Sequence, residues 1–268
     1  SSFSSFSSLL SLSANIEVDK MTIKAILNSK LKNFMIKINY RRLMKNNQSD
    51  RKKSSIPFRL NRKSFFGVMS LVYQELLDKV LTKINIKLPK EEEVLNLVRK
   101  KAKQNDPESI LRVIDNYAYN KTFLMNIGDE KGLILERAII DSNASNILEL
   151  GVYLGYSTIR ILKNLKNESK LTSIESNKKF ANIALEHIKL AGLSERHELK
   201  IGKSNDVIPN LKEKYDFIFI DHWKDLYLKD LKTLESYNLI EKDAWIFADN
   251  VILFNLEDYL KYVRSSPN

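Results

Sequence analysis

The second half of the chain alternates between two patterns of apolar and polar residues. Short, almost continuous apolar runs predict strands, and the segments between them carry an apolar residue every three or four positions, which predicts helices. The predicted strands are 146–151, 171–176, 198–203, 215–221 and 244–249. The predicted helices between them are 157–165, 178–192, 206–214 and 229–237. This alternation indicates an α/β fold, in which a doubly wound, mostly parallel sheet is flanked by helices on both faces.

Helical patterns also fill the region before the first strand. The segment 91–104 has acids in its first turn and bases in its last, an order that suits the helix dipole. In the segment 105–119, Asp106 stands where an N-cap is expected and Pro107 occupies the first helical position. The segment 129–142 is amphipathic as well. Together these segments predict a helical cap that precedes the sheet.

The positive charge of the chain is concentrated near its N-terminus. Residues 21–63 contain 13 Lys and Arg but one acid, whereas residues 64–268 contain 30 bases and 30 acids. The balanced part is therefore not expected to bind nucleic acid, although the net charge is +11. We predict a Ser-rich, then basic extension over 1–63 that is disordered, and one domain over 64–268. Within the domain, the helical cap should end near residue 143 and the sheet should start near residue 145.

The extension leaves three interpretations open. A solvated tail, a transit peptide and an electrostatic contact with anionic lipid each agree with a composition rich in bases and poor in acids. No apolar run approaches the ~20 residues that a membrane-spanning helix needs. The chain has no cysteine, which excludes disulfides and thiol catalysis. We expect a cytoplasmic monomer, with a mitochondrial or membrane-associated location as the alternative.

Two glycines follow the first predicted strand, in the sequence LELGVYLGYST (148–158). Gly151 and Gly155 allow a tight turn and a close approach of the backbone to a ligand. Ser157 is expected to cap the next helix and to help hold an anion there. Glu175 ends the second strand, about 20 residues beyond the turn, where an acid suits hydrogen bonds to ribose hydroxyls. A purely structural turn and a solvated or helix-capping Glu175 are the alternatives, but the two features together favour a nucleoside-bearing ligand.

Acidic side chains follow the fourth and fifth predicted strands. Asp221 ends the fourth strand, and Asp249 and Asn250 end the fifth. If these strands are neighbours, their ends lie ~5 Å apart, and a divalent cation would relieve the repulsion between the two carboxylates. Carboxylate and amide oxygens suit Mg²⁺. The alternative is two acids that face solvent separately, but the joint pattern favours a metal site.

Four segments, in this order and spacing, resemble the catechol O-methyltransferases: MNIGDEKG (125–132), LELGVYLGYS (148–157), IDHWKDLYL (220–228) and ADNVI (248–252). The resemblance extends from about Asp106 to about Arg264. It implies a Rossmann-like sheet of the class I methyltransferases that depend on S-adenosylmethionine. It also implies Mg²⁺-dependent transfer of a methyl group from S-adenosylmethionine to one hydroxyl of a catechol.

The resemblance also implies a role for each matching residue. Asp221, Asp249 and Asn250 would hold Mg²⁺, and Lys224 would be the general base. The catechol would contact Phe123, Lys224 and Asn250. The residues implied to bind the cofactor are Met125, Asn126, Ile127, Gly151, Tyr153, Ser157, Glu175, Ser204, Asn205, His222 and Trp223.

Near its C-terminus the chain departs from the pattern of this family. The family continues with two more strands and an acid that faces the second catechol hydroxyl, whereas this sequence ends at Asn268. Phe254 stands where the family commonly has a proline beside the substrate. We therefore expect the last two strands to be missing and the strand 244–249 to be an apolar edge. Two alternatives to a catechol substrate stay open: methylation of another vicinal diol, as in caffeoyl-CoA methylation, and a cofactor-binding protein without catalysis.

Overall fold

A computed structural model describes residues 88–265 together with Thr82. The chain divides into two compact units, and residues 89–265 all belong to one of them. The prediction for the extension 1–63 and the start of the domain at residue 64 lie outside the described residues. The cytoplasmic location and the monomeric state therefore stay predictions. Within the part of the chain that the structure describes, no helix is long and apolar enough to cross a membrane.

The described residues form an alternating series of helices and strands. The helices are α1 (Lys90–Lys101), α2 (Pro107–Asn120), α3 (Asp129–Ser142), α4 (Tyr156–Leu162), α5 (Lys178–Leu190), α6 (Ser204–Val207), α7 (Tyr227–Ser236) and α8 (Glu257–Ser265). The strands are β1 (Asn146–Leu150), β2 (Lys170–Glu175), β3 (His197–Ile201), β4 (Tyr215–Ile220) and β5 (Ile240–Ala248). All five strands are parallel and lie in the order β3-β2-β1-β4-β5. The predicted doubly wound α/β sheet is confirmed.

The helical cap matches the sequence pattern at its clearest signals. The Asp106 carboxylate accepts a hydrogen bond from the Ser109 backbone N–H at 2.9 Å, so Asp106 is the N-cap of α2 as predicted. Helix α3 has the predicted bounds, and it begins directly after Gly128, whose φ is +83°. Helix α1 ends at Lys101, three residues before the predicted end, because Ala102 is already extended.

Two predictions inside the sheet region were wrong. Ser157 is not the N-cap of α4, because Gly155 takes that place with a left-handed φ of +79° and starts the helix earlier. The predicted helix 206–214 is broken: α6 ends at Val207 and a single 3₁₀ turn follows. Pro209 lies in that turn, and a proline cannot donate the backbone hydrogen bond that would continue an α-helix.

Both faces of the central strands are buried, as the apolar runs indicated. In β4, Phe217 and Phe219 pack into the core on one face, and Ile218 and Ile220 pack into the core on the other. Strand β5 differs, because the Trp245 side chain is 46% exposed. Among the described residues, β5 pairs only with β4, so it forms the predicted apolar edge of the sheet.

Candidate active site

The carboxyl ends of the strands bring the predicted site residues to one edge of the sheet. Glu175 ends β2, Asp221 follows β4, and Asp249 follows β5. The glycine turn of residues 151–155 follows β1, which lies between β2 and β4. The chain leaves β1 toward β2 and later returns to β4 on its other side. Such a reversal of strand order opens a crevice where ligands of this sheet type bind.

Gly151 joins the glycine turn to the end of β4. Its φ is +92°, and a Cβ atom at this position would come within 2.8 Å of the Asp221 carbonyl oxygen and of the His222 Cα. Both atoms belong to the backbone and cannot move away cheaply, so only glycine fits here. The turn and Asp221 therefore belong to one site.

Glu175 is tied to the same turn. Its carboxylate is 8% exposed and accepts hydrogen bonds from the backbone N–H groups of Val152 at 3.1 Å and Tyr153 at 2.9 Å. The Asn177 N–H donates to the second carboxylate oxygen at 2.8 Å. The side chain of Asn177, not that of Glu175, caps α5. Neither the solvated nor the helix-capping alternative for Glu175 describes this arrangement.

Glu149 is a site residue that the sequence analysis missed. It lies in β1 beneath the glycine turn, is fully buried, and accepts hydrogen bonds from the hydroxyls of Ser157, Ser173 and Thr158 at 2.6, 2.7 and 2.8 Å. Burial raises the pKa of Glu149 to about 7, against the effect of the three hydroxyl donors. Its signal was present in the sequence as the acid two residues before Gly151.

Asp221, Lys224 and Tyr227 form a chain of contacts at the end of β4. The Lys224 ammonium donates to Asp221 Oδ1 at 2.9 Å and to the Tyr227 hydroxyl oxygen at 2.6 Å. The fully buried Tyr227 donates in turn to the backbone carbonyl of Asp249 at 3.2 Å. Burial raises the pKa of Asp221 to about 6, although Lys224 opposes the shift. Tyr227, which the sequence analysis did not single out, therefore links the ends of β4 and β5.

A second lysine holds the end of β5. Lys131 of α3 donates to both carboxylate oxygens of Asp249 at 2.5 Å and to Asn250 Oδ1 at 2.9 Å. Lys131 was not predicted as a site residue, although it lies within the MNIGDEKG segment. The two aspartates thus each contact one ammonium group, so their mutual repulsion does not by itself require a metal ion.

The oxygen atoms at this edge of the sheet nevertheless suit a hard cation. Asp221, Asp249 and Asn250 offer two carboxylates and one amide oxygen on neighbouring strand ends, which is the donor chemistry that Mg²⁺ prefers. Residues 88–265 contain no group of three or more His, Cys, Asp or Glu residues that could hold a metal ion. Asp221 and Asp249 alone are only two acids, so the donor set reaches three side chains only with the amide oxygen of Asn250.

Two of the residues implied to bind the cofactor have buried polar atoms without a hydrogen-bond partner among the described residues. Ser204 Oγ and His222 Nδ1 are buried and make no hydrogen bond within the described part of the chain. The other ring nitrogen of His222 lies 2.7 Å from the Asp230 carboxylate, and the ring stacks on Tyr227 with centroids 5.3 Å apart. Buried polar atoms are normally hydrogen-bonded, so these two atoms are available to a polar ligand.

The other residues implied to contact the cofactor or the catechol differ in how exposed their side chains are. Met125 is 57% exposed and Trp223 is 72% exposed, so both can cover a ligand from the solvent side. Ile127 is buried in the core, and Phe123 and Asn126 are partly buried.

Two predicted contacts use their side chains elsewhere. The Tyr153 hydroxyl donates to Glu91 at 2.8 Å, and its ring packs edge-on against Phe180. The side-chain amide of the exposed Asn205 donates to the neighbouring Asp206 at 2.6 Å. In this arrangement the backbone of Tyr153, rather than its side chain, faces Glu175.

The chain is similar in sequence and in fold to known proteins. The O-methyltransferase family matches residues 83–256. Catechol O-methyltransferase B of Danio rerio is 37% identical over 207 residues, covering 75% of this chain and 78% of that protein. Catechol O-methyltransferase of Mus musculus is 38% identical over 76% of this chain and 78% of its own length. The solved structure of cofactor-bound Rv0187 from MTB shares the fold, with a TM-score of 0.54 and 21% identity over 60% of this chain and 78% of that chain. The chain therefore belongs to the O-methyltransferase family, and the catechol O-methyltransferases are among its relatives.

Proposed function

We propose that the protein transfers a methyl group from S-adenosylmethionine to one hydroxyl of a catechol, with Mg²⁺ bound at the ends of β4 and β5. The observation that carries this proposal is the convergence of Asp221, Lys224, Asp249 and Asn250 beside the glycine turn. Family membership supports the methyl-transfer chemistry, and the names of the animal relatives support the catechol.

The cofactor would lie across the glycine turn. Glu175, fixed by backbone amides, would accept hydrogen bonds from the ribose hydroxyls. The buried Ser204 Oγ and His222 Nδ1 would supply the polar contacts to adenine that they lack within residues 88–265. Support for this placement comes from Ser204 and His222, which are implied cofactor-binding residues and carry buried polar atoms without a partner among the described residues.

Asp221, Asp249 and Asn250 would hold Mg²⁺. When bound, the ion would fix the two catechol oxygens and make the attacking hydroxyl more acidic. Asn250 has a φ of +62° and donates its side-chain amide to Asp249 at 2.8 Å. The amide oxygen of Asn250 accepts a hydrogen bond from the Lys131 ammonium at 2.9 Å.

Lys224 would take the proton from the attacking hydroxyl. A base needs a free electron pair, so Lys224 would have to act as the neutral amine, and its Nζ lies 2.9 Å from Asp221 Oδ1. If Asp221 held Mg²⁺, the ion rather than Lys224 would compensate the charge of this carboxylate. The reaction forms one O–CH₃ bond and breaks the S–CH₃ bond, the proton moves to Lys224 Nζ, and S-adenosylhomocysteine leaves. The attacking oxygen, the methyl carbon and the sulfur must lie in one line for this displacement. Holding the two substrates in that alignment therefore supplies much of the rate acceleration.

A methyl-transfer assay on the full chain tests the proposal. Catechol and its meta isomer resorcinol serve as matched acceptors, each with Mg²⁺ and with a chelator. We expect turnover of catechol alone, and only with the divalent ion. Turnover that survives chelation would contradict the metal centre. Binding of S-adenosylhomocysteine without turnover of catechol or caffeoyl-CoA would instead identify a cofactor-binding protein without catalysis.

A further inference from the structure

We propose that Lys131 is a built-in counter-cation, which occupies the ligand atoms of Asp249 and Asn250 and must leave them before a divalent ion binds. This inference rests on the metal centre of the proposed function. It assigns to Lys131 control over the affinity of that centre, and it makes Lys131 a positioning residue rather than a catalytic one.

The contacts of Lys131 coincide with the proposed ligand set. Its ammonium lies 2.5 Å from both oxygens of Asp249 and 2.9 Å from Asn250 Oδ1. These are three of the oxygen atoms that the donor set offers. Lys224 differs, because it contacts one oxygen of Asp221 and otherwise points to Tyr227. Lys131 therefore competes with an ion for three ligand oxygens at the end of β5, whereas Lys224 occupies one ligand oxygen, at the end of β4.

The charges balance without a metal ion. Two aspartates and two lysines meet at the ends of β4 and β5, with one ion pair of 2.5 Å and one of 2.9 Å. A divalent ion added to this set would leave an excess of two positive charges in a partly buried site, where like charges a few ångströms apart repel by several kcal/mol. Departure of one ammonium lowers that cost.

Lys131 is the group that is able to leave. Its side chain is 42% exposed, whereas that of Asp249 is 5% exposed. The side chain of Lys224 is only 18% exposed and lies over the Tyr227 ring, 4.8 Å from the ring centroid. Lys131 projects from α3, outside the sheet, so its long side chain can turn toward water while the aspartates stay in place.

Metal titration of the full chain tests this inference. Mn²⁺ serves as the probe, because it shares the preference of Mg²⁺ for oxygen ligands and its free form is counted by electron paramagnetic resonance. We expect Lys131→Met to bind Mn²⁺ at least about tenfold more tightly than the wild type, since one competing positive charge is gone. Lys131→Arg keeps the charge and should stay close to the wild type. Lys189→Met, at an exposed position of α5, is the matched control and should not change the affinity.

The outcomes separate this inference from the proposed function. Equal or weaker Mn²⁺ binding by Lys131→Met overturns the role of Lys131 and leaves the metal centre standing. Absence of Mn²⁺ binding in both the wild type and Lys131→Met overturns the metal centre, and the inference with it. Binding of S-adenosylhomocysteine shows that a variant is folded. If Lys131→Met fails this check, Lys131→Gln replaces it, because its neutral amide can still donate to Asp249.

Discussion

On the β1–β2 side of the sheet, two glutamates accept hydrogen bonds from neutral donors, whereas on the β4–β5 side each of two aspartates contacts an ammonium group. Glu149 accepts three hydroxyl hydrogen bonds, and Glu175 accepts three backbone N–H hydrogen bonds. Asp221 and Asp249 each form an ion pair with a lysine side chain, and Asp249 also accepts hydrogen bonds from the backbone N–H and the side-chain amide of Asn250. The four side chains lie near the same edge of one sheet, yet the aspartates, unlike the glutamates, contact ammonium groups.

The difference separates a fixed region from an exchangeable one. Backbone amides and buried hydroxyls belong to the folded framework and cannot leave without unfolding the turn. A lysine on a flexible side chain can be replaced by another cation. We therefore expect changes on the glutamate side to alter cofactor affinity and stability, and changes on the aspartate side to alter catalysis and metal binding.

The largest expected effect lies on the aspartate side. Lys224→Met removes the proposed base, and kcat for catechol methylation should fall by about 10² to 10⁴-fold. Binding of S-adenosylhomocysteine, measured by isothermal titration calorimetry, should hardly change, because the glutamate side is intact. Lys229→Met, at an exposed position of α7, is the control. Unchanged kcat would contradict the assignment of the base.

Glu149→Gln should change how stability depends on pH. Burial raises the pKa of Glu149 from 4.5 to about 7, so between these values the folded state binds a proton that the unfolded state has released. The free energy of unfolding contributed by this group is therefore largest below pH 4.5 and is lost as the pH rises to about 7. The loss is on the order of 3 kcal/mol, and the neutral glutamine should abolish it.

Urea unfolding between pH 5 and pH 8 measures this difference. The wild type should lose stability relative to Glu149→Gln as the pH rises toward 7 and should stay level above it. Parallel curves for the two proteins would show that the glutamate carboxyl titrates normally, and the fixed character of this side would then need another explanation.

Glu175→Gln should weaken the binding of the cofactor and should leave the rate of methyl transfer nearly unchanged. One carboxylate with charge-assisted hydrogen bonds is lost, which costs about 1.5–3 kcal/mol, or roughly 10- to 100-fold in the affinity for S-adenosylhomocysteine. Titration calorimetry measures the affinity, and Glu195→Gln, at an exposed position, is the control. At saturating cofactor, kcat should stay near the wild-type value. A fall in kcat with unchanged affinity would contradict the role of Glu175 in cofactor binding.

Tyr227→Phe should have the smallest effect. It removes the hydroxyl that accepts from Lys224 and donates to the Asp249 carbonyl, two contacts that join β4 to β5. Thermal and urea unfolding should show a loss of about 1 kcal/mol, and kcat should fall up to about tenfold because Lys224 is less well oriented. Tyr237→Phe, with a ring that is 53% exposed, should change neither quantity. If Tyr227→Phe changed only the cofactor affinity, the expectation that the aspartate side acts on catalysis and metal binding would be contradicted.

Much of the local structure could be read from spacing alone. Alternating apolar runs and amphipathic stretches predicted five strands in one parallel sheet, and Asp106 with Pro107 predicted the start of α2. Such signals come from neighbouring residues. The start of α4 was misjudged because Gly155, with its left-handed backbone, is the N-cap in place of Ser157. The Ser157 hydroxyl instead donates a hydrogen bond to the buried Glu149.

The sequence by itself determined the order of elements, the parallel sheet and the placement of acids at the strand ends, because each depends on local periodicity or on the rule that parallel strands end together. Only the tertiary structure decided which cations meet those acids. Lys131 and Asp249 are 118 residues apart, and nothing in either local pattern indicates that the Lys131 side chain reaches the end of β5. The burial of Glu149 and the bridge through Tyr227 have the same origin, since contacts between distant segments exist only after the core has assembled.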